Sequence, residues 1–223
     1  EQLYFGNWYA QEEGAGYFKR EWLGELLNPN NRDDMSYMKD VVKRVRCWDL
    51  AGSVPSEAYS SPDWTVGVLM AKTKYGDFII EDVARWRKRS GESISAIIDL
   101  AKADRKRHGS VMYYLPQDPA QAGLVAKQYQ AKLFASAGIP VKFRKVGTTK
   151  SKLTRFEPFT TGAENGIVKS LKGDWNEALF SELEAFDNVS RTKKDDQVDA
   201  ISDSFSVLAT TKEYKKLNPK MIG

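Results

Sequence analysis

From Val41 to Ala51 the chain reads Val-Val-Lys-Arg-Val-Arg-Cys-Trp-Asp-Leu-Ala, and Gly-Ser-Val-Pro follows at once. β-Branched and aromatic residues at this density, about one strand long and closed by a turn signal, predict a β-strand. The strand delivers a carboxylate, Asp49, to its far end. That position is costly for a charge unless a hydrogen-bond donor, a basic side chain or a metal ion meets it. An ordinary aspartate there caps the loop that follows, so the rest of the chain decides what Asp49 is for.

Two further strands are predicted at Trp64 to Lys72 and Asp77 to Arg85, joined by a hairpin at Lys74-Tyr75-Gly76-Asp77, and three strands in succession imply an antiparallel meander. Ile94, Ile97, Ile98 and Ala101 recur at helical spacing within Glu92 to Arg107. A short strand at Val111 to Leu115, a helix from Ala120 to Ala137 stopped by Gly138, and a strand at Pro140 to Val146 make a βαβ unit, which requires parallel pairing. The expected sheet is therefore mixed, with five strands or slightly more, flanked by helices in an α/β arrangement. Beyond it we expect a basic loop or hairpin over Lys142 to Arg155, then the start of a helix through Phe156 to Ala163 and a short strand at Gly166 to Val168. A helix to Phe186 should follow, capped by Asp174 with Glu177 three residues on. The last helix, Lys194 to Thr211, carries the apolar stripe Val198, Ile201, Phe205 and Leu208.

The 223 residues allow one large domain with an appendage. Residues 41–212 form the predicted domain, 1–40 a linker and 213–223 a tail; the opening, which lacks a Met, reads as native sequence excised from something longer. No apolar run is long enough to span a bilayer, and a cytosolic protein is expected. A single cysteine, Cys47, excludes an internal disulfide framework, and one histidine leaves no zinc site of Cys and His ligands. Any metal must then be held by carboxylate oxygens, which suits Mg²⁺ or Mn²⁺. The net charge of +4 permits a nucleic-acid partner without requiring one.

The final helix opens Asp195-Asp196-Gln197-Val198-Asp199-Ala200. Asp196 and Asp199 share a helical face, and Asp203 continues the row. Acidic residues in a first turn are also favoured by the helix dipole alone. If the first and fourth strands are neighbours and this helix packs across them, Asp49, Asp118 just after the fourth strand, and Asp196 with Asp199 meet at one sheet edge. Carboxylates so close raise one another's pKa and need cations to stay ionised. Two divalent ions would supply them.

The succession of Arg46-Cys47-Trp48-Asp49-Leu50-Ala51, Gln117-Asp118-Pro119 with Ala122-Gly123, the basic stretch Lys150 to Arg155 and Asp195-Asp196-Gln197-Val198-Asp199-Ala200 resembles the nuclease domain of the large terminase subunit of tailed bacteriophages. The resemblance covers Val41 to about Leu208, and the terminal Asp-Asp-x-x-Asp-Ala is its most specific part. It implies an RNase H-like fold and a metal-dependent endonuclease with two Mg²⁺ or Mn²⁺ ions, cutting concatemeric viral double-stranded DNA in the cytoplasm of the infected host. It also implies an ATPase domain ahead of residue 1, and a small terminase subunit and portal protein as partners. By the family's pattern Asp49, Asp118 and Asp196 are catalytic metal ligands, with Asp199 supporting and Asp195 a substitute for Asp196. Many members carry a Glu where this chain has Gln117-Asp118. Asp63 is a further outer candidate. Lys150, Lys152, Arg155 and Arg144 would contact DNA phosphates. Two rivals remain, a resolvase or transposase core on the same fold and a non-catalytic docking module whose acidic cluster is only helix capping.

Overall fold

The computed structural model describes residues 16–52, 54–57, 61–117, 121–145, 151–190 and 193–210. The meander is present as β1 (Val41–Asp49), β2 (Thr65–Thr73) and β3 (Phe78–Trp86), paired antiparallel, with β2 and β3 joined by the four residues Lys74 to Asp77. After α1 (Ser90–His108) come β4 (Met112–Gln117), α2 (Gln121–Ser136) and β5 (Val141–Lys145), the predicted βαβ unit, and β4 pairs in parallel with both β1 and β5. A sixth strand, β6 (Val168–Ser170), adds in parallel to β3. The order across the sheet is β5-β4-β1-β2-β3-β6, so the sheet is mixed and six-stranded.

Alternation along β1 divides the interior into two cores. Val45 and Cys47 face α3 (Lys152–Glu164), α4 (Asn176–Ala185) and α5 (Asp196–Thr210), against Phe156, Phe159, Leu179, Ile201 and Phe205. Trp48 faces α1 and α2, with Ile97, Tyr113 and Phe134. Arg46 points to that second side and is only 1% exposed. It is held by Asp104 at 2.7 and 2.9 Å, Asp82 at 2.8 Å and the Gly67 carbonyl at 3.0 Å. Gly67 lies opposite Trp48, and a Cβ there would sit 2.6 Å from the indole. The missing side chain thus leaves room for the Trp48 ring against the backbone of β2.

Two local expectations change. α4 starts at Asn176, whose side-chain oxygen accepts from Gly173 N–H at 2.6 Å, and Asp174 does not cap it. Glu177 is drawn away to Arg20, 2.8 Å distant. The cause is that residues 16–40 fold back on the domain: Phe18 and Leu23 enter the first core, and Leu27 bridges Leu171. The basic stretch is also only partly a loop. α3 begins at Lys152, with Ser151 Oγ accepting from Thr154 N–H at 3.2 Å, so Lys152 and Arg155 stand one turn apart on a helix.

Candidate active site

Strand pairing sets the first part of the site. Arg144 pairs with Pro116, which lies two residues past the Tyr114–Cys47 pair and so stands beside Asp49. Asp49 pairs with Val66, and Val66 with Arg85. Arg144, Pro116, Asp49, Val66 and Arg85 thus form one row across five strands at the sheet's end, on the α5 face. The head of α5 closes over this row, and Asp196, Asp199 and Asp203 of α5, with Asp195 just before it, line the clefts beside Asp49. β1 and β4 are neighbours and α5 packs across β1, the arrangement on which the expected convergence depends; Asp118, its fourth-strand member, lies outside the described residues.

Asp49 lies between two clefts. In the larger, of about 430 Å³, it faces Asp63, Lys152, Asp195 and Asp196. In the narrower, of about 50 Å³, it faces Arg144, Arg155, Asp199 and Asp203. Burial pushes the Asp49 carboxyl up to about 7, and Asp199, Asp196 and Asp203 push the same way while Lys152 opposes them. Asp196 is also raised, by burial first, although it accepts the Trp64 backbone N–H at 3.0 Å. Burial raises Asp203 too, against Arg144 and Arg155. A carboxylate held near neutrality in this way marks a site whose charge awaits a cationic partner.

The basic residues singled out in the sequence reach into these clefts. Lys152 Nζ lies 2.6 Å from Asp195 and 2.9 Å from Asp199. Arg155 donates to Asp199 at 2.5 Å, and its buried Nε has no partner among the described residues. Arg144 pairs with Asp203 at 2.7 Å. Asp63 is bound by Lys194 at 2.6 Å on the rim of the larger cleft. Asp118 and Lys150 lie outside the described residues.

Two features go beyond the sequence reading. Asp203 lines the narrow cleft beside Asp199; its signal was the helical row Asp196, Asp199, Asp203. Glu182 of α4 grips the head of α5, accepting from Gln197 N and Nε2 at 2.6 Å each, which nothing local in the sequence could announce. Among the described residues no three His, Cys, Asp or Glu side chains form a ready metal-binding group. The side chains of these clefts that could hold a metal are nonetheless all carboxylates, the donors hard divalent ions prefer.

A family model for the terminase RNaseH-like domain matches residues 46–207, a span that runs from β1 almost to the end of α5. The large terminase nuclease from thermophilic phage G20c with bound magnesium superposes with a TM-score of 0.51 at 14% identity, covering 74% of this chain and 85% of that one. The large terminase nuclease domain of Thermus phage P74-26 gives 0.50 at 13% identity, covering 76% and 81%. No curated protein sequence matches significantly. At such identities the superpositions speak for the fold alone, a mixed sheet flanked by helices of the RNase H-like kind. The family match spans most of the chain and includes both Asp49 and the acidic head of α5, so the chain belongs to the terminase RNaseH-like domain family.

Proposed function

We propose that this domain is a divalent-metal-dependent DNA endonuclease of a viral packaging motor, cutting concatemeric double-stranded DNA by hydrolysis with little sequence preference. The observation that carries the reading is Asp49, raised to about 7 at the junction of two carboxylate-lined clefts. In this reading Asp49 serves both clefts, Asp196 and Asp195 the larger, Asp199 the narrower, and Asp118 follows β4. Two Mg²⁺ or Mn²⁺ ions, when bound, would activate the attacking water and stabilise the leaving oxygen. The G20c relative carries magnesium, and the all-oxygen donor set here suits the same class of ion.

The chain's own residues have separable tasks. Water oxygen bonds to phosphorus as one bridging P–O bond breaks, and the negative charge that builds on the phosphate needs fixed donors nearby. Lys152, Arg155 and Arg144 supply them at the clefts, with Lys150 just before α3. Trp64 N–H holds Asp196 in place, leaving one oxygen of that carboxylate uncommitted by this bond. The partners proposed with this role are duplex DNA, an ATPase domain preceding residue 1, a small terminase subunit and a portal protein, all in the host cytoplasm. Among the described residues no helix is long and apolar enough to cross a membrane.

The test is nicking of supercoiled plasmid. Wild-type protein should relax it in Mg²⁺ or Mn²⁺ and not in excess EDTA, and Asp49→Ala should be inactive. Equal nicking with EDTA, or by Asp49→Ala, would sink the metal mechanism. Preference for branched over linear DNA would favour the resolvase rival, and absence of any nicking the docking module.

A further inference from the structure

The cations of the clefts are already committed to carboxylates, so they bring little net positive charge to a polyanion. Charge of that kind lies elsewhere, at the end of β3. Arg85-Trp86-Arg87-Lys88-Arg89 puts four cations in five residues, and Arg85, Lys88 and Arg89 are exposed. Among the described residues no carboxylate stands within ion-pairing distance of any of them, whereas Lys152, Arg155 and Arg144 each have one.

This run is joined to the candidate site. Arg85 closes the row that contains Asp49, two strand spacings away through Val66, which is about 10 Å. The Arg87 and Arg85 guanidinium carbons lie 4.0 and 4.7 Å from the Trp64 ring centre. Trp64 in turn donates its backbone N–H to Asp196. Arg87 also bonds Ser61 Oγ at 3.1 Å, and Lys194 bonds the Ser61 carbonyl at 2.9 Å while pairing with Asp63 of the larger cleft. Stacking on an aromatic face fixes guanidinium groups at low entropic cost and leaves their edge donors for an anion. Arg87 Nε is buried and lacks a partner among the described residues.

A duplex approaching a cluster of carboxylates is repelled unless positive charge flanks them. About 10 Å corresponds to roughly three base-pair steps of rise. We propose that Arg85 and Arg87, braced on Trp64, together with Lys88 and Arg89 next along the chain, form a phosphate-binding rim that grips the DNA backbone a few nucleotides from the point of cleavage. The proposal rests on the nuclease reading above and adds a surface to it. The rim positions DNA through phosphates and carries no base information.

The experiment is binding of a labelled blunt duplex, followed by fluorescence anisotropy in EDTA across a salt series, for wild type, Arg85→Gln/Arg87→Gln, Lys88→Gln/Arg89→Gln and Arg85→Lys/Arg87→Lys. Each lost phosphate contact lowers the slope of log affinity against log salt by about 0.9, so each glutamine pair should lower it by up to about 1.8 and weaken binding roughly tenfold at about 0.1 M salt. The lysine pair keeps the charge and should restore most of the slope. Thermal melting accompanies each variant, and the exposed Lys88 and Arg89 pair keeps the test valid if the Arg87 change perturbs folding. Wild-type slope and affinity in both glutamine pairs, with wild-type protein still binding and cutting DNA, overturn the rim and leave the nuclease reading standing. Wild-type protein that neither binds duplex nor nicks plasmid overturns both.

Discussion

Glu182 on α4 accepts two hydrogen bonds of 2.6 Å from Gln197 on α5, one from the backbone N–H and one from the side-chain amide. It acts as an anionic cap supplied from another helix, and it fixes the turn that carries Asp196 and Asp199. Burial lifts its carboxyl to about 7, with the two Gln197 donors opposing and Asp196 adding to the rise. A folded pKa above the unfolded value means that folding favours the protonated form. The contribution is complete below about 4.5 and is lost as pH rises through about 7. Melting temperature should therefore fall from pH 5 to 8 more steeply in wild type than in Glu182→Gln. Parallel curves would show that Glu182 does not titrate in that range.

Asp49 borders both clefts, Asp196 only the larger and Asp199 only the narrower. If each cleft takes one ion, the three residues differ in stoichiometry rather than in degree. Calorimetric titration with Mn²⁺ should give two ions for wild type, one for Asp196→Asn, one for Asp199→Asn and close to none for Asp49→Asn. Nicking should drop at least about a hundredfold in all three. Two ions retained by Asp49→Asn would remove that residue from the centre of the site.

The strands were legible because their cause is local: β-branched runs, a Tyr-Gly turn and a βαβ spacing are properties of short windows. The adjacency of β1 and β4, on which the meeting of Asp49 with α5 depends, entered only as a condition, and the structure supplies it. What escaped depends on distant segments. Residues 16–40 read as a linker until Phe18 and Leu23 are seen in the core, because a few apolar residues without periodicity carry no element signal. The ranking of Asp196 over Asp199 came from the family pattern, while the carboxylate that acts most strongly on Asp49 is Asp199, one turn further along. The start of α3 did have a sign, Ser151 at the N-cap position, hidden within a run of cations.

Lys152 and Arg155 occupy oxygens of Asp195 and Asp199. A divalent ion and these side chains compete for the same carboxylates, yet in the proposed reaction the same cations stabilise the phosphate. Arg155→Ala should thus bind Mn²⁺ about tenfold more tightly, roughly 1.4 kcal/mol, while nicking more slowly. Opposite signs for the two measurements separate this role from a purely structural one, in which both would weaken together.

Arg46 and Asp104 form the buried pair on the other face of β1, with the guanidinium nearly inaccessible and Asp82 completing its contacts from a half-exposed position. Their stabilising effect comes from mutual neutralisation, so losing one partner strands the other charge. Arg46→Met should cost about 3 to 5 kcal/mol in urea unfolding because Asp104 remains buried, while Asp82 can rehydrate. Arg46→Met/Asp104→Leu should recover most of that loss. Arg46 faces away from the clefts, so the double variant should still nick plasmid in proportion to its folded fraction. Failure of the double variant to recover stability would mean that Arg46 acts chiefly through the Gly67 carbonyl and the packing of Trp48, whose indole rests on that glycine.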